Sequence, residues 1–458
     1  MLFLFSYLTI KYTFYILGYL NRFMIYNKKD LKNTLKTAFE KASILKTEVL
    51  FSYTFKIDSN FETIKSNILN CNQMFYLSLP KKENQFIGMG NLNSKNNNAK
   101  DLSKLTVVSN LENNKDTFLI FNISAFDQDR KTEKPWEGIP RKKFIIPKVL
   151  LQKNKQITLN KIINLKNSEN DLLSKVEQNI KELSSKSIVK HRQTTLRKTK
   201  TIPEKNDYIN TVNDIVSDMK NSKLKKIVLS KVEKLSLKSE ILIHKIIENM
   251  EQKYHDCFNF FIRLNNEDSF FGSSPEILLK KDDLQLSSVA LAGTSIKKED
   301  LNDLKEIEEH HYVLKHIKSI FLKYCNDVQT SKTNKLKMNY AYHLHSTIKG
   351  QLKKDINVFK IISDLYPTPA LSGYPKKDAI DKIKKIEIFD RGYYGGLIGF
   401  YNQNMNGSFF VPIRSALKRK NDIYLFAGGG ITEKSESLKE WEETEIKLKH
   451  IKSIIELK

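Results

Sequence analysis

Four glutamates are the first residues here whose type and spacing could do chemistry. In KEIEEHHYVLKHIKSIFLKY, Val313, Ile317, Ile320, Phe321 and Tyr324 recur at helical spacing and form one apolar stripe. Extended toward the N-terminus, the stripe runs through Glu306 and Glu309. Carboxylates on the buried side of a helix are costly unless paired or bound to a metal, and their position in the first turns lowers the cost slightly through the helix dipole. The last helix repeats the device: Ile451 and Ile454 continue upward through Lys447, Thr444, Glu443 and Glu440. Two inward faces carrying four carboxylates suit a hard cation such as magnesium. The same pattern is also what two solvated, glutamate-rich faces would give.

Other chemistry-bearing residues lie near turns. AGGGI (Ala427–Ile431) and AGT (Ala292–Thr294) each follow a strand pattern, and small residues there let backbone N–H groups approach an anion. Arg414, in FFVPIRSAL, shares a strand face with Phe410 and Ala416, so it suits a carboxylate ligand or a bridge to a neighbouring Glu. Lys226 opens an apolar strand and Glu276 follows Pro275 at a strand start. Alone, each is an ordinary strand-edge charge.

Alternating apolar residues predict strands at Met74–Leu79, Phe86–Met89, Phe118–Ala125 and Phe144–Leu151, and helical spacing predicts a helix over 169–189. The basic, aperiodic run from Lys190 to Lys205 reads as a linker. Beyond it, helices are expected at Asp207–Asn221, Ser239–Lys253, Asn302–Tyr324, Asn357–Leu365 and Ser437–Leu457. Strands are expected at Lys226–Val232, Asn259–Leu264, Ser269–Phe271, Glu276–Lys280 and Leu284–Ala290, with a hairpin joining Gly407–Lys418 to Ile423–Phe426. Mixed helices and hairpins imply α+β layers and not a parallel doubly wound sheet.

Composition narrows the class. With 458 residues and 40% hydrophobic content, the chain can bury a large core. Its net charge of +25 comes from 77 Lys+Arg against 52 Asp+Glu. The basic residues are mostly lysines spread along the whole chain, and no nucleic-acid motif accompanies them, so no nucleic-acid partner is expected. Cys71, Cys257 and Cys325 lie far apart, which argues against zinc and disulfides and fits a reducing cytoplasm. Residues 1–23 are apolar apart from Lys11 and Asn21–Arg22 and make a poor signal peptide. They read as a membrane anchor, a buried helix or translation from an upstream start; the last is favoured, with Met24 opening an ordinary amphipathic helix.

The separate pieces join into one resemblance. KIVLSK, SSPEILL, ALAGT, the EEH of KEIEEHHYVL, HLHSTIKG, YPTPALSGYP, FDRGYYGGLIGF, IRSAL, AGGGI and EWEETEIK occur in that order between Lys226 and Lys447. Over residues 205–458 this resembles the chorismate-utilising enzymes, whose members include isochorismate, salicylate and anthranilate synthases. FNISAF and PWEGIP extend the likeness more loosely into the N-terminal half. Lys226, ALAGT and PTPALSGYP resemble the isochorismate-forming branch; amine-transferring relatives usually carry Gln at the position of Lys226. Departures are Lys231 for a common Arg, Pro412 within a strand, and Gly429 where Ala is frequent.

The resemblance implies an α/β (α+β) fold of two large antiparallel-rich sheets around a core, with helices outside. Residues 24–189 would form its N-terminal half and 206–458 the catalytic core. It implies a Mg2+-dependent isomerase acting on chorismate, with Lys226 as general base and Glu276 as general acid. That chemistry calls for a lowered pKa at Lys226 and a raised one at Glu276. Glu309 and Glu443 would be metal ligands, direct or through water, with Glu306 and Glu440 supporting them. Arg414 and Tyr394 would grip the enolpyruvyl carboxylate; Gly293, Thr294, Gly428, Gly430 and Lys447 would complete the anion pocket; His343 and Thr347 would contact the ring. A monomer is expected, with its product destined for menaquinone by default or for a catechol siderophore. Salicylate and anthranilate-type synthases are the rival readings.

Overall fold

The computed structural model describes residues 24–25, 28–57, 61–62, 65, 74–92, 106–111, 118–153, 156–163, 195–239, 241–338, 341–353 and 356–456. The expected helix over 169–189, residues 1–23 and Cys71 lie outside the described residues. Two sheets organise the rest. The first runs in the order Met24–Ile25, Val49–Ile57, Gln156–Ile163, Val149–Gln152, Gln85–Met89, Met74–Ser78, Phe258–Arg263, Asp268–Ser274, Ser415–Arg419, Asp422–Thr432, Lys226–Leu237 and Leu196–Ile202. The second runs Cys325–Thr330, Ala341–Leu352, Gln285–Ser295, Ile277–Asp282, Gly407–Phe410, Leu397–Tyr401, Ile120–Ser124 and Lys142–Ile145. Strands from both halves of the chain are thus hydrogen-bonded into both sheets.

Strand alternation explains the layering. Phe258, Phe260 and Ile262 pack into an aromatic layer with Phe121, Phe270, Phe400, Phe410 and Phe426, which come from both sheets. The intervening Phe261 points the other way, into the layer beneath the helices. Helices α1 (Lys28–Leu45), α2 (Lys205–Lys220), α3 (Ile243–Lys253), α4 (Leu304–Tyr324), α5 (Val358–Leu365), α6 (Lys376–Ile386) and α7 (Ser437–Ile455) cover the outer faces. On α4, Val313, Ile317 and Phe321 pack with Ala290, Ala292, Ile348 and Leu352 of the second sheet. Each such fully buried side chain contributes about 1.5–3 kcal/mol relative to exposure. Ile451 and Ile454 of α7 pack similarly over the first sheet. Among the described residues no helix is long and apolar enough to cross a membrane.

Three expectations need correction. Phe144–Leu151, expected as one strand, divides into Lys142–Ile145 of the second sheet and Val149–Gln152 of the first. Leu196–Ile202, expected within the linker, is a strand paired with Lys226–Leu237, because hydrogen-bond demand along that edge outweighs a polar, aperiodic sequence. Gly407–Lys418 is not one arm of a hairpin. Gly407–Phe410 belongs to the second sheet and Ser415–Arg419 to the first, and the chain crosses between them at Val411–Arg414, around Pro412. Only the second part pairs with Asp422–Thr432. A matching crossing occurs at Pro275–Glu276, between Asp268–Ser274 and Ile277–Asp282. The two crossings are tied together: the Val411 N–H donates to the Glu276 carbonyl at 3.0 Å, and Ser274 Oγ donates to the Val411 carbonyl.

Candidate active site

The crossings deliver Glu276 and Arg414 to one seam between the sheets. A cavity there is lined by both, together with Gly293, Thr294, Glu309, His343, Tyr394, Gly428 and Lys447. The sequence motifs therefore converge although they are spread over some 170 residues of chain, from Glu276 to Lys447. A larger cleft of about 550 Å³ lies elsewhere, beside Asn122 and Phe359, and its charged groups, Asp127, Asp129, Lys142 and Lys384, are none of the candidate site residues.

Lys226 is 0% exposed. Its Nζ lies 2.9 Å from Glu309 Oε1 but makes no well-aligned hydrogen bond, so its donors are not fully satisfied. Two glycines make room for it. Gly373, in the short strand Gly373–Tyr374 paired with Lys226–Ile227, has φ +137°, and a Cβ there would collide with the Lys226 carbonyl. At Gly430 a Cβ would strike Glu309 Oε1 and come within 3.0 Å of Lys226 Cε.

The strand carrying Lys226 is held beyond that short partner by side chains that sequence reasoning missed. Arg391 Nη2 donates to the Val228 carbonyl at 2.8 Å, and Glu387 Oε1 accepts from the Ser230 N–H at 2.9 Å. The two residues also pair with each other at 2.6 Å. Arg391 is the Arg of FDRG, so the motif had marked it without giving its work.

Glu276 is buried, and Thr368 Oγ1 lies 3.5 Å from its Oε1. Burial pushes its carboxyl up to about 7, against the opposing pull of Lys226, Thr368, Lys447 and Arg414. Arg414 has φ +50° and directs its guanidinium between two histidines, with Nη2 3.0 Å from His343 Nε2 and Nη1 3.4 Å from His450 Nδ1. Lys447 donates to the Gly428 carbonyl at 2.7 Å and pairs with Glu443 at 2.7 Å. A Cβ at Gly428 would come within 3.1 Å of Tyr394 Oη, which explains the glycine. Thr347 does not line the cavity: it lies four residues beyond His343 on the same strand, roughly 13 Å further along. Its N–H donates to Ser331 Oγ at 2.9 Å.

The four glutamates occupy the first turns of α4 and α7, as the stripes imply. The Thr294 N–H donates to Glu306 Oε2 at 2.7 Å. Burial, reinforced by Glu309, pushes Glu306 up to about 7. Burial also pushes Glu440 up to about 7, aided by Glu443 and opposed by Lys305. Burial would raise Glu443 too, but Lys447 and Lys305 outweigh it and hold its pKa down at about 2. Glu440 Oε2 is buried without a hydrogen-bond partner. An oxygen-only donor set with excess negative charge and an orphaned carboxylate oxygen fits a hard divalent cation. Among the described residues, however, no three acidic or imidazole groups are gathered closely enough to hold an ion as they stand. Lys305, which the sequence reading passed over, stands among them.

A sequence profile described as "Chorismate binding enzyme" matches residues 35–456. The isochorismate synthase MenF of Bacillus subtilis is 27% identical, over 92% of this chain and 97% of that protein. The isochorismate synthase MenF of Haemophilus influenzae is 31% identical, over 66% of this chain and 73% of its own length. Among solved structures, the menaquinone-specific isochorismate synthase of Escherichia coli superposes with a TM-score of 0.75 at 20% identity, covering 92% of this chain and 100% of the other. Anthranilate synthase component I of Streptococcus pneumoniae superposes at 0.64 with 18% identity, covering 83% and 90%. Those two likenesses show the two-sheet fold.

Proposed function

This chain belongs to the chorismate-binding enzyme family, and from that premise we propose that it is a magnesium-dependent isochorismate synthase. The observation that carries the reading is Glu276, a buried carboxyl pushed up to about 7 on the wall of a cavity that also holds Arg414 and Lys447. A substantial fraction of it is protonated near neutral pH, as an acid for a poor leaving group must be. The names of the relatives support the same choice within the family.

In this reading water adds at C2 of chorismate while Lys226 takes its proton. The ring double bonds shift, and the C4 hydroxyl leaves as water with the proton of Glu276. One proton passes from Glu276 to the departing C4 oxygen and one from the attacking water to Lys226, so exchange with solvent resets both groups. Arg414 and Tyr394 hold the enolpyruvyl carboxylate. Glu309 and Glu443, with Glu306 and Glu440, would hold Mg2+, which when bound neutralises and orients the ring carboxylate.

The test is to incubate purified protein with chorismate and Mg2+, with an EDTA control, and to separate the products chromatographically. Isochorismate in equilibrium with chorismate, formed without pyruvate and only with the metal, is expected. Salicylate with pyruvate would move the chain to the salicylate-forming branch. No turnover, with or without ammonia, would sink the reading.

A further inference from the structure

Lys305 has no part in the chemistry above. Its Nζ lies 2.8 Å from Glu440 Oε1, 3.3 Å from Glu306 Oε1 and 3.7 Å from Glu443 Oε2. Its side chain is 17% exposed, so the ammonium is largely withdrawn from water. It belongs to α4, whereas Glu440 and Glu443 belong to α7, so it also bridges the two helices.

We infer that Lys305 is a tethered counter-ion that holds the glutamate cluster together before metal arrives and that a divalent cation must displace. The inference rests on the reading of this cluster as the magnesium position.

The argument is one of charge and space. Carboxylates gathered on two helix starts repel one another unless a cation stands between them. The ammonium supplies that cation and satisfies Glu440 Oε1, yet Glu440 Oε2 stays buried without a partner. A metal ion bound to these oxygens cannot share their centre with an ammonium of like charge. The displaced side chain has room to move: the adjoining opening holds Asp300 and Asp303, along with Lys297, Lys434 and the Lys439–Glu436 pair.

The exchange has a selective consequence. A monovalent ion brings no more charge than the ammonium it evicts, and the ammonium is present at the high local concentration of a tethered group. A divalent ion gains one charge. Lys305 thus weakens metal binding in general while favouring divalent over monovalent cations. A ligand carboxylate adds negative charge at the same place, so metal and substrate should strengthen each other's binding reciprocally.

The test titrates Mg2+ calorimetrically into the full chain as wild type, Lys305→Met and Lys305→Arg. Lys305→Met is expected to bind Mg2+ at least tenfold more tightly, and Lys305→Arg no more tightly than wild type. Equal affinities in all three overturn the inference while leaving the magnesium reading standing. No Mg2+ binding by any of them removes both. Because loss of the cation could unfold Lys305→Met, the wild type is also acetylated in Mg2+ or EDTA and Lys305 is read by peptide mass spectrometry. Several-fold greater labelling in Mg2+ is expected; unchanged or reduced labelling overturns the inference.

Discussion

Arg414 Nη2 donates to His343 Nε2 at 3.0 Å, and that contact fixes the histidine's proton. A guanidinium has no acceptor, so Nε2 must offer its lone pair and the ring must carry its hydrogen on Nδ1. Nδ1 then donates to Thr294 Oγ1 at 3.0 Å, with the Gly293 carbonyl 3.3 Å away. Burial, and after it Arg414, holds the imidazole down at about 3. His343 is therefore neutral across the working range. His343→Gln, whose amide oxygen can still accept from Arg414, should raise KM and leave the shape of the pH–rate profile unchanged. Loss of a limb near pH 7 in that variant would assign the limb to the histidine.

In the proposed mechanism that limb is assigned to Glu276: its acid form is the one required and burial pushes its carboxyl up to about 7, so kcat/KM should fall as pH rises past that value. Glu276→Gln should lose about 10²-fold or more in turnover. Stability moves the other way. The folded carboxyl is raised above the usual 4.5 of a glutamate, so its favourable contribution is full below that pH and is lost as pH rises through about 7. The amide carries no such loss, and should be the more stable protein at pH 8, by up to roughly 3 kcal/mol relative to their difference at pH 4. Urea denaturation at the two pH values measures this.

Lys226→Ala should abolish product formation while equilibrium binding of chorismate in Mg2+ persists, because Arg414, Tyr394 and Lys447 are untouched. Retention of most turnover would show that another group takes the proton.

Gly430→Ala tests how closely the Lys226–Glu309 pair is fitted to the backbone. The added methyl collides with Glu309 Oε1 and must push the pair aside. A displacement near 1 Å can cost about 10²-fold in rate, so turnover should drop by that order with little change in the circular dichroism spectrum. Unaltered turnover would mean that the pair relaxes freely.

Arg391→Ala should be a stability variant first. It leaves Glu387 buried without its partner and frees the Val228 carbonyl, at a cost of about 3–5 kcal/mol. The denaturation midpoint should fall accordingly. A midpoint within error of the wild type would show that the pair does not brace the strand of Lys226.

Helical stripes made the placement of Glu306, Glu309, Glu440 and Glu443 legible, because a stripe's direction depends only on spacing along one helix. Lys305 was not legible. Its meaning depends on α7 lying opposite α4, which no local pattern encodes. The crossing at Val411–Arg414 was hidden for a related reason: FFVPIRSAL alternates like one strand, and only Pro412 hinted at a break. Leu196–Ile202 is largely exposed, so it lacks the apolar alternation by which strands are read. The resemblance named His343 and Thr347 together, but the pitch of the strand carries Thr347 away from the cavity.

The seam also governs how the chain can be divided. Phe258–Arg263 pairs on one side with Met74–Ser78, and Leu397–Tyr401 pairs with Ile120–Ser124. A fragment beginning at residue 205 would carry every candidate catalytic group and yet present three bare strand edges, at Phe258–Arg263, Leu397–Tyr401 and, without Leu196–Ile202, Lys226–Leu237. Such edges invite intermolecular pairing. The described strands before residue 205 supply none of the candidate catalytic side chains but cover these edges, and supplying residues 1–204 as a separate polypeptide should rescue the solubility of the fragment.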